Sequence, residues 1–87
     1  FTFFVHAQSP AAVDKKAKED TAYINSLIAQ ATSVVANNQD TAIILATEAK
    51  VLAEKINFLS GKAYANKYIG IAYFYKGKFI ETLEYWM

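Results

Sequence analysis

The chain contains no cysteine and no arginine, and its 87 residues include one histidine, His6. Without cysteine there can be no disulfide, no thiolate metal site, no cysteine nucleophile and no acylated cysteine near the start. Without arginine the usual bidentate contact to phosphate and guanine is missing. Nine lysines against eight acidic residues form no sustained basic stripe, so nucleic acid is not an expected partner. The three glycines, Gly61, Gly70 and Gly77, are too dispersed for a phosphate-cradling loop. Asp40, Glu48, Glu54, Glu81 and Glu84 fall on separate or solvent-facing helix positions. Glu81 and Glu84, three apart, read as a solvated pair that lacks a third ligand for a metal. With His6 set aside, no nucleophile has an activating base. The expectation is a chain with no catalytic residue, no metal and no cofactor.

What is present is apolar: 54% of residues are hydrophobic and 15% aromatic, with a net charge of +1. That suffices for one small domain with a modest core. The chain opens Phe1-Thr2-Phe3-Phe4-Val5-His6-Ala7-Gln8 without an initiating Met. Val5-His6-Ala7 resembles the small-residue cleavage signal of a secretory signal peptide, with Gln8 as the first mature residue. Residues 1–7 then read as a signal-peptide remnant, and the mature protein as exported, periplasmic or extracytoplasmic. The alternative is a frayed or tag-derived apolar start. This run is far too short to span a bilayer, which needs about 20 apolar residues, so membrane attachment would come only from sequence downstream. Residues 8–19, with Asp14-Lys15-Lys16-Ala17-Lys18-Glu19 of mixed sign, form a polar lead-in.

Beyond it the apolar spacing is helical. Ile24, Leu27, Ile28, Ala31, Val34 and Val35 predict a first helix over 21–36 with Asp20 as its cap. Asn37-Asn38-Gln39-Asp40 is the turn, with Asp40 placed to cap a second helix over 41–56. That helix carries a small row, Ala42, Ala46, Ala49 and Ala53, beside a larger one that includes Leu52 and Ile56. Two helical neighbours are implied, because alanines admit a close backbone on one side while larger groups fill space on the other. Residues 57–61 connect to a third helix over 63–75, with Ser60 as a candidate cap. Gly77 then supplies the left-handed residue that ends a helix. A fourth helix begins near Phe79 and stops at Met87 after barely two turns, short of the usual three to four.

Ile69-Gly70, Tyr73, Gly77, Phe79, Leu83 and Trp86 resemble the core signature of a tetratricopeptide repeat. In that pattern a small residue in the first helix of each hairpin lets the second cross closely. Gly70 in mid-helix costs about 1 kcal/mol relative to alanine, so close packing there would account for it. Thr82 stands where the family usually has alanine, and Asn66 where it commonly has tryptophan. Forty residues earlier, Ala42 falls opposite Thr82, Ile43 opposite Leu83, Asn37 opposite Gly77 and Gln30 opposite Gly70. The period is similar to that of long-helix bacterial variants, and the segment resembles the exported sensor region of some bacterial histidine kinases and related regulators. The resemblance implies an all-α fold of antiparallel helical hairpins in a right-handed solenoid. About two hairpins are expected, a degenerate first over 20–59 and a truncated second over 60–87. Ala42, Ala49, Gly70, Tyr73, Gly77, Phe79, Leu83 and Trp86 are its structural positions.

The aromatics crowded between Tyr64 and Phe79 are core by default in so small a protein. The family resemblance assigns another task to some of them, since first-helix residues line the inner groove of such repeats. The matching positions are Tyr64, Lys67, Ile71, Phe74 and Tyr75, preceded by Ile24, Leu27, Ala31, Val34 and Val35. A groove this apolar suits an amphipathic helix or an extended peptide. The functional expectation is a non-catalytic scaffold that binds a peptide, a partner protein or a second copy of itself, in the sensory part of a bacterial signalling protein. The alternative is a set of structural hairpins that stack on further repeats and bind nothing.

Overall fold

The computed structural model describes residues 10–86, with side-chain surroundings from residue 16 onward. The proposed cleavage segment with His6, and Met87, lie outside the described residues. Among the described residues there are four helices and no strand: α1 (Pro10–Val34), α2 (Gln39–Lys55), α3 (Leu59–Tyr75) and α4 (Phe79–Trp86). The fold is all-α.

The first helix is longer than its apolar spacing predicts. It runs straight through Asp20, which is therefore no cap, and takes in residues 10–19 of the expected polar lead-in. Proline is tolerated in a first helical turn, where its missing N–H would be unpaired anyway. The alanines, lysines and glutamate that follow are strong helix formers that need no buried face, and Lys16 pairs with Asp20 one turn on (3.7 Å). The caps also differ from expectation. Asn38, not Asp40, caps α2, its side chain accepting from the Thr41 amide (3.1 Å). Asp40 sits in the first turn, where a negative charge favours the helix dipole, and pairs with Lys76 at the end of α3. Ser60 lies inside α3, whose N-cap is Phe58.

α2 and α3 end alike, 20 residues apart. Asn57 and Gly77 both take left-handed backbone, φ 56° and 77°. The next amide in each case reaches back five residues: Phe58 N–H to the Ala53 carbonyl (2.8 Å) and Lys78 N–H to that of Tyr73 (2.9 Å). This closure satisfies carbonyls that a helix end otherwise leaves free, and asparagine is the residue after glycine that tolerates it best. The turn after α1 is built differently, with the Asn37 and Asn38 amides both donating to the Val34 carbonyl (3.0 and 2.7 Å).

Consecutive helices run antiparallel, as the cross-links Tyr23 to Glu48, Glu54 to Lys62, Asp40 to Lys76 and Thr82 to Gly70 require. α2 lies between α1 and α3, and its alanine row, Ala42, Ala46, Ala49 and Ala53, is wholly buried. Near the middle of the helices, Ile24, Leu27 and Ile28 meet Ala49, Ala53 and Ala65. Toward the other end, Ala31 and Val35 meet Ala42, Ala46, Ile69 and Ala72. Branched groups from α1 thus fill the space that the alanines leave, with Ile43, Leu45 and Leu52 of α2 packed beside them.

The two hairpins correspond, but with a slip. α2 and α4 start 40 residues apart, at Gln39 and Phe79. In the second hairpin Thr82 lies on Gly70. In the first, Ala42 shares its core with Ala31, while Gln30 is exposed. Ala31 rather than Gln30 is therefore the counterpart of Gly70, and α1 corresponds to α3 at 39 residues. The differently built first turn absorbs the missing residue.

Candidate functional site

The expected groove along α1 and α3 is not open. Ile24, Leu27, Ala31 and Val35 are buried and Val34 is half-buried, because α2 and α3 both pack on this apolar stripe of α1. The first half of the proposed site is core. Of the second half, Tyr64, Lys67, Phe74 and Tyr75 are exposed, while Ile71 is half-buried against the Ala31 and Ala72 core.

These five do not share one face. A groove-lining side chain would turn away from the fourth helix, yet Phe74 faces it, stacked with Trp86 (centroids 6.4 Å, 19°) and edge-on to Phe79 (5.7 Å, 65°). The two helices pack through Gly70, so the side chain one turn on, Phe74, is drawn to the same side. Lys67 extends its ammonium toward the Tyr68 ring (5.6 Å).

The structural positions behave in two ways. Gly70 is where the helices approach: a Cβ there would lie 2.5 Å from Trp86 Nε1. Thr82, buried at this crossing, donates its hydroxyl to the carbonyls of Lys78 (3.0 Å) and Gly70 (3.2 Å), so no polar atom is stranded. Tyr73 stacks on Tyr85 (5.8 Å, 20°), and Lys50 of α2 sits 5.4 Å from the Tyr85 ring. Phe79, Leu83 and Trp86, by contrast, are each more than half exposed. With Phe74 they make an apolar face on the outer side of the second hairpin. Ile80, next to Phe79 and 74% exposed, extends it, and helical spacing from the buried positions gave no sign of it.

Beside this face lies an open notch of about 620 Å³ lined by Ala63, Asn66, Lys67, Tyr85 and Trp86. The Trp86 indole N–H reaches the Lys67 carbonyl across it (3.4 Å). Asn66 Oδ1 is buried there without a hydrogen-bond partner. The equivalent place in the first hairpin, bounded by Ile24, Leu27 and Ile28, is filled by Ala49, Ala53 and Ala65.

No group of three or more metal-binding side chains occurs among the described residues, and no described helix is long and apolar enough to cross a membrane. Comparison with protein-family models, curated proteins and solved structures finds no match to the chain.

Proposed function

We propose that the chain is a non-catalytic interaction scaffold of the tetratricopeptide kind, its hairpins belonging to a right-handed solenoid and its second hairpin offering the docking face. The observation that carries this reading is the row Phe74, Phe79, Leu83 and Trp86, each half exposed or more on one side of one hairpin. Large apolar groups gathered in a patch, unlike scattered ones, mark interaction surfaces. Aromatic residues of this kind are the usual anchors. The partner is a protein or peptide segment with an apolar face, and an amphipathic helix fits best, since the patch lies along two packed helices and is lined by large apolar groups. An exported location, ahead of the output part of a bacterial signalling protein, belongs to the same proposal. It rests on Val5-His6-Ala7 and on the repeat resemblance, and amino-terminal sequencing of the exported product tests it by finding Gln8 first.

The docking face is tested by titrating the chain with a synthetic amphipathic helix of alanine and leucine, read by the emission of Trp86, the only tryptophan. The double change Phe74→Ser with Leu83→Ser should weaken binding about tenfold or more while circular dichroism stays the same. A loss of helix equal to the loss of binding would assign both side chains to the core.

A further inference from the structure

The two ends of the helix stack carry complementary faces, and we infer that copies of this chain associate head to tail, α1 of one copy seating on the open α3–α4 face of the next. This rests on the proposed docking face and names its occupant.

The chain contains its own template for the contact. α3 covers the first hairpin with Ala65, Tyr68, Ile69 and Ala72, and Gly61, also buried, lies one turn before Ala65 against Phe58. At the 39-residue correspondence, Gly61, Ala65, Tyr68 and Ala72 fall on Ala22, Ser26, Ala29 and Ser33 of α1. All four of these α1 residues are exposed. They are small and spaced by four, three and four, the same spacing as the alanine row buried on α2. α1 thus presents outward the kind of face by which α3 packs inward.

The receiving side corresponds equally well. What α3 covers on the first hairpin includes Val35, Ala46 and, in part, Ile43. Their counterparts on the second hairpin are Phe74, Trp86 and Leu83, the exposed row. Bulky groups there call for a partner with little bulk, which two open faces meeting each other would not provide.

Part of the polar cost of burying the α1 row is already met within α1. Ser33 already donates to the Gln30 carbonyl (2.8 Å), and Ser26 accepts from the Gln30 amide (3.3 Å). Gln30 occupies the place of the buried Ile69 and is the one polar intrusion, so the contact between copies is weaker than its internal template and depends on concentration. Seat and plug lie on different surfaces. The association is therefore heterologous and extends into open stacks rather than closing as a two-fold dimer.

Sedimentation of the 87-residue chain over a wide concentration range, with two blocked variants, tests this. Ala29→Glu blocks the plug and Leu83→Glu the seat, both at exposed positions, and circular dichroism checks that each keeps its helix. Ser33→Lys replaces the first variant if it does not fold. The parent should grow beyond dimers as concentration rises. Each variant alone should stay monomeric, and an equal mixture of the two should form a species of two chains, because one intact plug and one intact seat remain. If Ala29→Glu still associates while Leu83→Glu does not, the open faces meet each other and the inference falls. A parent that stays monomeric throughout also overturns it. Acrylamide quenching of Trp86 in that monomer then separates the two readings. A readily quenched Trp86 leaves the scaffold intact with a foreign partner, whereas a shielded one removes the docking face as well.

Discussion

The first hairpin and the second use one arrangement of helices with opposite results for the same positions. Val35 is 7% exposed and its counterpart Phe74 is 50%; Ala46 is fully buried and its counterpart Trp86 is 53% exposed. The second hairpin is the more aromatic of the two, yet it is the one that leaves its large groups in solvent. Burial here follows the neighbour rather than the residue: α3 covers α1 and α2, and among the described residues nothing performs that service for α3 and α4. Identical spacing therefore produces a core in one place and a surface in the other.

The largest expected contrast is in stability. Ile24 is 1% exposed in contact with alanines that cannot expand to fill its place, so Ile24→Ala should cost about 2–5 kcal/mol in a denaturant melt. Leu83→Ala, on the open face, should change stability by no more than about 0.5 kcal/mol in dilute solution. A comparable loss at Leu83 would mean that its face is covered, and the contrast between the hairpins would collapse.

A smaller effect is expected at the helix crossing itself. Gly70→Leu should destabilise by about 1–3 kcal/mol despite leucine's better helix propensity, because the new side chain must displace the Trp86 ring. The displaced indole should emit at longer wavelength. A variant as stable as the parent, with unchanged emission, would show that the second hairpin does not depend on this approach.

Sequence alone made much of this legible, and the misses have physical causes. The number of helices, the buried alanine row of α2, the left-handed Gly77 and the start of α4 at Phe79 all follow from local rules that tertiary contacts did not override. The extension of α1 back to Pro10 was hidden because propensity rather than an apolar face sustains it. The slip that puts Ala31 in place of Gln30 opposite Gly70 arises in a turn, where spacing carries no information about chain path. Periodicity also separates one helix face from another without saying which neighbour each face meets. For that reason Phe74 could be assigned to the wrong side, and Ile24 and Leu27 to a groove instead of a core.

The smallest effect tests the polar ties that accompany the two packings. In the first hairpin Tyr23 donates its phenol hydrogen to Glu48 of α2 (3.1 Å). At the corresponding place the second hairpin has Lys62, which reaches back to Glu54 of α2 (3.1 Å). The hydrogen bond to Glu48, and then its negative charge, raise the Tyr23 pKa above its usual value of 10.0, since both favour the neutral phenol. A folded pKa above the unfolded one means that the tie contributes fully below the unfolded value, about 10, and is lost as pH rises through the folded value. Both partners are exposed, so the contribution to stability is small. Spectrophotometric titration of the phenols should therefore find one of the six tyrosines ionising later than in the Glu48→Gln variant. The Lys62–Glu54 tie involves no phenol, so Glu54→Gln should leave that titration curve unchanged. A curve that shifts in the Glu54 variant and not in the Glu48 variant would place the phenol contact on the other side of α2 and break the pairing of the two hairpins' ties.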